Sequence, residues 1–433
     1  MKRLIEKFMK TGKILDMSLP GILIIVMSVI LVCCKKDDPL VIDDDDDDTT
    51  GFEVVVYSPV DIEKTNPIKL YMHFMPWFET NESSESGAWG YHWTLNNRDP
   101  NTIVDEETGK REIASHFYPL TGPYHSGDDD IIEYQLLLMK YAGVDGIIVD
   151  WYGTYDLYDY AVNLENSEAV IDITDKVGIG FAIMYEDRTA AAVRDNAMEE
   201  DIVDAATTDI DYIDYYYFSE DNYIEVNSEP LLMVFGPTSI QTEAQWTDIF
   251  SGISSRCFMT LWYESNDAGA NACGEYSWVY QDNTHIVNFY SSRAPSLDFA
   301  IGSAYPGFKD YYTEGGVTDN IDWVIEHDGT NTLSATLGMA TGNIDHVQLV
   351  TWNDYGEGTM IEPTEEFGFD FVEEIQSFAG VSGYDVFEDI FTQYELRKQY
   401  ADVDSIQKYL DQSFYYFVSL QVDKAKEILN EFE

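Results

Sequence analysis

From residue 66 onward the chain repeats one pattern: a short unbroken apolar run, then a longer stretch with apolar positions every three to four residues. The short runs are residues 68–75, 145–151, 179–185, 230–235, 257–263, 278–280, 297–303 and 347–352. Their length and their β-branched, aliphatic and aromatic content predict buried strands. The longer stretches, among them 131–141, 158–177, 190–216 and 242–254, carry the helical period. Eight strands joined by crossover segments are what a parallel (β/α)8 TIM barrel requires, and residues 66–383 match its usual size. An open, doubly wound sheet shares the same alternation. A long insertion separates the first two strands and carries Trp89-Gly90-Tyr91-His92-Trp93 and the segment from His116 to Ser126. In a barrel, such length after a strand builds a loop over the catalytic face. Residues 384–433 read as a C-terminal helical extension with a break near Asp402.

The first 65 residues follow another pattern. Lys2, Arg3, Lys7, Lys10 and Lys13 precede an apolar run over residues 20–32, and Cys33-Cys34-Lys35-Lys36-Asp37-Asp38 follows it. A basic region ahead of an apolar run this short predicts a secretory signal over residues 1–34, since a spanning helix needs about 20 apolar residues. The run's end resembles a bacterial lipoprotein signal with Cys34, or else Cys33, as the acylated residue. The residues after it resemble the surface-export signal of Bacteroidetes lipoproteins, which places the body on the outer-membrane surface. An uncleaved anchor helix is the other reading. The acidic block from Asp43 to Asp48 repels itself and predicts a disordered tether over residues 35–65.

The formal charge is −56, from 24 Lys and Arg against 80 Asp and Glu. Phosphate backbones and anionic headgroups are repelled by such a surface, so nucleic acid is excluded as a partner and a neutral glycan fits. Outside the signal only Cys257 and Cys273 remain; they either close a disulfide or leave Cys257 as a small buried hydrophobe. No CxxC, HxxH or HExxH spacing supports a zinc site, and the reading invokes no metal and no cofactor.

Candidate chemistry gathers where a barrel needs it, at strand C-termini. The last strand runs into Thr351-Trp352-Asn353-Asp354-Tyr355-Gly356-Glu357-Gly358, which sets two carboxylates three residues apart between aromatic rings. Two acids on one tight loop suit glycosidic cleavage, where one group protonates the leaving oxygen and another activates the attacking group. The plain alternative is a polar turn that satisfies its own backbone. Other strand ends and the insertion contribute His73, Trp77, His92, His116, Tyr124, Trp151, Tyr185 and Glu186, and the motif adds Trp352 and Tyr355. Aromatic rings stack on sugar faces and polar side chains bind hydroxyls, so these are the candidate substrate-binding residues.

Three stretches carry a family resemblance: Tyr118-Pro119-Leu120-Thr121-Gly122-Pro123-Tyr124 with Ser126 and Asp128; Ala142-Gly143-Val144-Asp145-Gly146 with Asp150-Trp151-Tyr152; and Trp352 to Thr359. Together they resemble the glycoside hydrolase family 71 and family 99 group, over most of residues 66–380. The resemblance implies a (β/α)8 fold and, from family 99, endo-acting α-mannosidase chemistry. There the first acid of the loop assists the substrate's own 2-hydroxyl, and the second is the acid/base. By position Asp354 takes the first role and Glu357 the second. Asp354 is one methylene shorter than the family 99 Glu, and the Trp-Asn-Asp-Tyr-Gly-Glu spelling is closer to family 71, whose members act on α-1,3-glucan with inversion.

The sequence therefore predicts a surface-anchored glycoside hydrolase acting on an α-linked glycan, α-mannan before α-glucan, with Glu357 and Asp354 catalytic. A non-catalytic glycan-binding lipoprotein on a degenerate barrel is the alternative. A metal-dependent hydrolase using Asp150, Glu186 and Asp354 is a third reading.

Overall fold

The computed structural model describes residues 52–318 and 321–432. The predicted signal, Cys34 and the acidic block lie outside them. Eight parallel strands form the core: β1 Lys69–Phe74, β2 Gly146–Trp151, β3 Gly180–Tyr185, β4 Glu229–Val234, β5 Cys257–Leu261, β6 Ala272–Tyr276, β7 Phe299–Ala304 and β8 His346–Leu349. Each pairs in parallel with its neighbours in the chain. β8 lies between β7 and β1, with Leu70 opposite Val347, and this pairing closes the sheet into a (β/α)8 barrel. The central strands are mostly apolar, as in Gly146-Ile147-Ile148-Val149, because both faces are covered. Each buried Ile, Val or Leu contributes roughly 1.5–3 kcal/mol through burial.

The main helices are α1 Asp129–Ala142, α2 Tyr160–Val177, α3 Asp187–Asp195, α4 Ile202–Tyr216, α5 Glu243–Ile249, α6 Asn331–Ala340, α7 Asp370–Ala379, α8 Phe387–Gln399, α9 Asp404–Val418 and α10 Val422–Leu429. Helix α1 starts where the Asp128 side chain accepts from the amide of Asp130 and stops at Gly143, whose φ of 83° suits glycine. The single helical stretch predicted over 190–216 is two helices, because Asp201 caps a new start by accepting from the Val203 amide at 2.8 Å. Among the described residues no helix is long and apolar enough to cross a membrane.

One predicted strand is displaced. The sixth was expected at 278–280, but β6 is Ala272–Tyr276, whose Ala-Cys-Gly start is weakly apolar. Gly274 is required there, since a Cβ would lie 2.1 Å from the Phe299 carbonyl oxygen of β7. Cys273 is bonded to Cys257, so the neighbouring strands β5 and β6 are also joined covalently.

The tether predicted over 35–65 does not extend through residues 52–65. Phe52 stacks on Tyr409 at 4.6 Å, the Val55 amide donates to Gln412 at 2.7 Å, and the Val60 amide donates to Val418 at 3.0 Å. The apolar segment 52–60 thus lies against α9. The predicted helical extension is α8 to α10. It is held to α1 by Arg397, 5% exposed, which pairs with Glu133 of α1 and Asp411 of α9 at 2.8 and 2.9 Å.

The disulfide closes a loop of 16 residues. Replacing both cysteines with alanine is expected to cost about 3 kcal/mol through the looser unfolded chain. Urea unfolding of the two proteins checks this, and an unchanged midpoint would contradict it.

Candidate active site

Beyond β8 the chain folds into a closed turn from Thr351 to Pro363. The Thr351 amide donates to the Thr359 carbonyl at 2.9 Å, and the two threonine hydroxyls meet at 3.0 Å. The Asp354 amide donates to the Thr351 hydroxyl, and the Glu357 amide donates to Asp354 Oδ1, both at 2.9 Å. Gly358 completes the turn at φ 64°, where a Cβ would lie 2.7 Å from the Lys309 carbonyl oxygen. Asn353 fixes the turn to β1 by accepting from the Met75 amide at 2.9 Å and donating to the Met75 carbonyl at 3.0 Å. The segment after β7 supports the other side, with the amides of Lys309 and Tyr311 donating to the carbonyls of Glu357 and Gly356 at 2.8 Å.

This frame brings Asp354 and Glu357 into one cleft at the C-terminal end of the barrel. Asp354 is buried, and burial raises its carboxyl to about 6 against the pull of the Glu357 and Gly356 amides and the His92 ring. Glu357 is pushed up further, to about 8, first by burial and then by the charge of Asp354, although Tyr312 donates to its Oε1 at 3.0 Å and favours the charged form. The two titrate as a pair. At neutral pH the arrangement keeps a proton on Glu357 and leaves Asp354 largely ionised.

The cleft floor is acidic as well. Glu186 is buried and bound by Arg188 through two hydrogen bonds of 2.6 and 2.9 Å. Asp150, 3% exposed, faces Glu186, Arg188 and Asp354, and burial followed by Glu186 drives its carboxyl up. Beside the acids, a depression of about 520 Å³ is lined by Tyr91, His92, Tyr152, Tyr158, Asp159, Tyr160 and Arg188. His92 lies flat on Trp77, with ring centroids 3.9 Å apart, and its Nε2 is 3.3 Å from Asp159.

The candidate residues therefore separate. Trp77, His92 and Glu186 surround the acids. Trp151 and Tyr185 do not: Trp151 packs outward on Tyr212 and Tyr217, and the Tyr185 hydroxyl donates to Asp209 of α4 at 2.9 Å. Trp352, Tyr355 and Tyr124 are buried behind the turn, where both tyrosine hydroxyls donate to Glu362 at 2.9 and 2.8 Å. His73 is sealed in the barrel edge-on to Trp278, and burial lowers it to about 3. His116 lines a separate depression of about 180 Å³, with Nε2 3.1 Å from the Asp310 carbonyl. Among the described residues no group of three His, Cys, Asp or Glu side chains is arranged to hold a metal ion.

Residues that the sequence reading passed over are Arg188, Tyr312, Asp159 and Glu362. Arg188 carried a signal as one of 24 cations against 80 acids, three positions past a strand end. Tyr312 carried none, since its role depends on how the segment after β7 folds back.

No family model matches the chain. A curated relative, the glycoprotein endo-alpha-1,2-mannosidase-like protein of Danio rerio, is 25% identical over 135 residues, 29% of this chain and 30% of the relative. The chain thus matches less than a third of that relative's length. Among solved structures, the GH99 endo-alpha-mannosidase from Bacteroides thetaiotaomicron superposes with a TM-score of 0.54 at 19% identity, covering 74% of this chain and 98% of that one. A glycoside hydrolase-like protein superposes with a TM-score of 0.53 at 10% identity, covering 77% and 98%. The chain thus has the (β/α)8 fold of the GH99 endo-alpha-mannosidase structure, and at these identities the likeness is one of fold.

A Glu in the unfolded chain titrates near 4.5, whereas Glu357 in the folded protein titrates near 8. Between those values the folded state retains a proton that the unfolded state releases, so this group's contribution falls as pH rises. Glu357→Gln is expected to be more stable than wild type, by a margin that widens from pH 5 to pH 8. Thermal unfolding across that range tests this, and a margin independent of pH would refute it.

Proposed function

We propose that the protein is a glycoside hydrolase cleaving an α-linked glycan, with Glu357 as acid/base and Asp354 as its partner. The observation that carries this reading is the closed turn after β8, which ties Glu357 to Asp354 through its amide at the C-terminal face of the barrel, with the Glu357 carboxyl raised by burial and by the Asp354 charge. A general acid must hold its proton at working pH, and burial together with a neighbouring carboxylate achieves that. The Trp77 and His92 stack and the tyrosine-lined depression suit a flat sugar ring with hydroxyls at its edge. The likeness to an endo-alpha-mannosidase structure and to an endo-alpha-1,2-mannosidase-like relative supports α-mannan first, and the Trp-Asn-Asp-Tyr-Gly-Glu spelling keeps α-1,3-glucan second. The acid balance of the chain agrees with a neutral polymer.

Export as a lipoprotein acylated at Cys34 and display on the outer membrane of a Bacteroidetes-like cell belong to the same proposal. They rest on the basic, apolar and Cys-Lys-Lys-Asp-Asp order of the N-terminus. The second reading, a glycan-binding protein without chemistry, draws on the shorter Asp354 in place of the family Glu.

Release of reducing ends from α-mannan and α-1,3-glucan separates the two. Wild type is expected to cleave one of them, with a bell-shaped rate limited near pH 6 by Asp354 and near pH 8 by Glu357. Glu357→Gln is expected to lower kcat by about 10² to 10⁴. Equal rates in wild type and variant would remove the assignment, and binding without release would establish the second reading.

A further inference from the structure

Seven acids are buried in the described part of the protein: Asp150, Glu186, Asp187, Asp209, Glu275, Asp354 and Glu362. Six have identifiable partners. Glu186 holds Arg188, Glu275 holds Arg293, and Asp187 accepts the amides of Thr238, Ser239 and Ile240. Asp209 takes the hydroxyls of Thr154 and Tyr185, Glu362 takes two tyrosines and Gln135, and Asp354 takes the Glu357 amide. Asp150 is the exception. Only its backbone carbonyl is used, by Asn163 at 3.1 Å, and its carboxyl group has no hydrogen-bond partner among the described residues.

Strand alternation gives its direction. Trp151 points outward onto Tyr212 of α4, with centroids 6.0 Å apart, so Asp150 beside it points into the barrel. Asp150 pairs in register with Met184, whose sulfur takes the Tyr276 hydroxyl at 3.4 Å in the interior. At the top of β2, Asp150 thus forms part of the cleft floor, with Glu186, Arg188, Asp354 and Asp159 as the charged groups around it.

A carboxyl that the protein leaves without a hydrogen-bond partner at the mouth of the barrel is free to take one from the cleft. We infer that Asp150 is a substrate-contacting specificity residue, whose carboxyl holds a hydroxyl of the neutral sugar bound over Asp354 and Glu357. This rests on the glycoside hydrolase reading. A sugar hydroxyl both donates and accepts, so it satisfies the carboxyl in either protonation state. A sulfated, phosphorylated or uronic acid ring in the same place meets four carboxyl groups, those of Asp150, Asp159, Glu186 and Asp354, and one guanidinium already taken by Glu186. The floor therefore selects uncharged sugars.

Asp150→Ala and Asp150→Asn, compared with wild type on α-mannan and α-1,3-glucan oligosaccharides, test the inference. Asp150→Ala is expected to lower kcat/KM at least about 100-fold on the glycan that wild type cleaves, since a site built around a hydroxyl loses heavily without its partner. Its Tm is expected to equal or exceed that of wild type, because the removed group has no partner in the empty protein. Asp150→Asn, which keeps the shape, is expected to fall between. Among singly deoxygenated substrates, one is expected to lose little further on Asp150→Ala although it is poor for wild type. Retention of kcat/KM within threefold overturns the inference, and so does a loss accompanied by a fall in Tm of more than about 5 °C, which marks a structural role. Wild type that neither binds nor cleaves either glycan overturns the underlying reading instead, and the inference with it.

Discussion

The side chain of Asn353 grips both backbone groups of Met75, and the placement of the two acids follows from that clasp. β8 ends at Leu349, and nothing in a strand ladder controls the direction of the chain beyond it. Asn353 supplies the missing constraint by continuing the β8 to β1 pairing with a side chain, and the Trp352 amide adds a bond to the His73 carbonyl at 2.7 Å. With residue 353 fixed, residue 354 has one direction left, and the Asp354 carboxylate then takes the Glu357 amide. The three-residue spacing of the acids is therefore a bond length inside a turn. A glycine at 358 is the price of that closure, since only glycine tolerates both its φ and the approach of Lys309.

Burial gives this turn its chemistry. A carboxyl at the surface of a protein with a net charge of −56 would titrate near its ordinary value, because water screens its neighbours. In the cleft the acids are withdrawn from bulk solvent, and burial is the first cause of the rise at both Asp354 and Glu357. The difference between them comes from their partners. Asp354 receives two backbone amides, which favour its charge, while Glu357 receives one phenol and faces a carboxylate. Two identical functional groups are driven apart by the dipoles that a single turn presents to them.

The barrel was legible because seven of its eight strands are continuous apolar runs, and such runs survive in the sequence whatever surrounds them. β6 was not, since Ala-Cys-Gly is chosen by close approach to Phe299, a long-range constraint without a local pattern. The acid pair was legible because glycine and acid spacing sit within one short segment. The aromatic residues were misread for a specific reason. Trp151 and Tyr185 end their strands, but strand alternation turns both toward helix α4, and the inward positions beside them are Asp150 and Glu186. Applying the two-residue period to each strand end, in addition to locating it, would have placed Asp150 in the cleft and removed Trp151. Tyr312 remained out of reach, because its bond to Glu357 spans 45 residues and depends on the fold of the segment after β7.

The insertion after β1 serves the same turn from behind. Glu362 is 1% exposed and meets no cation; its partners are Tyr124 of the insertion, Tyr355 of the turn and Gln135 of α1, at 2.8, 2.9 and 2.7 Å. Three neutral donors from three separate parts of the chain converge on one carboxyl that is itself raised by burial to about 7. The Tyr124 hydroxyl also accepts from Asn353 at 3.1 Å, so the insertion reaches the clasp on Met75 directly. Removing the insertion would take the Tyr124 hydroxyl from both Glu362 and Asn353, leaving Glu362 with Tyr355 and Gln135 and Asn353 with Met75. The residues between β1 and β2 thus form the back wall against which the acid-bearing turn is built, and Phe78, Trp93 and Tyr124 pack into the same wall around Tyr355. A loop that lies over the catalytic face in sequence terms is, in its packing, part of the core of that face.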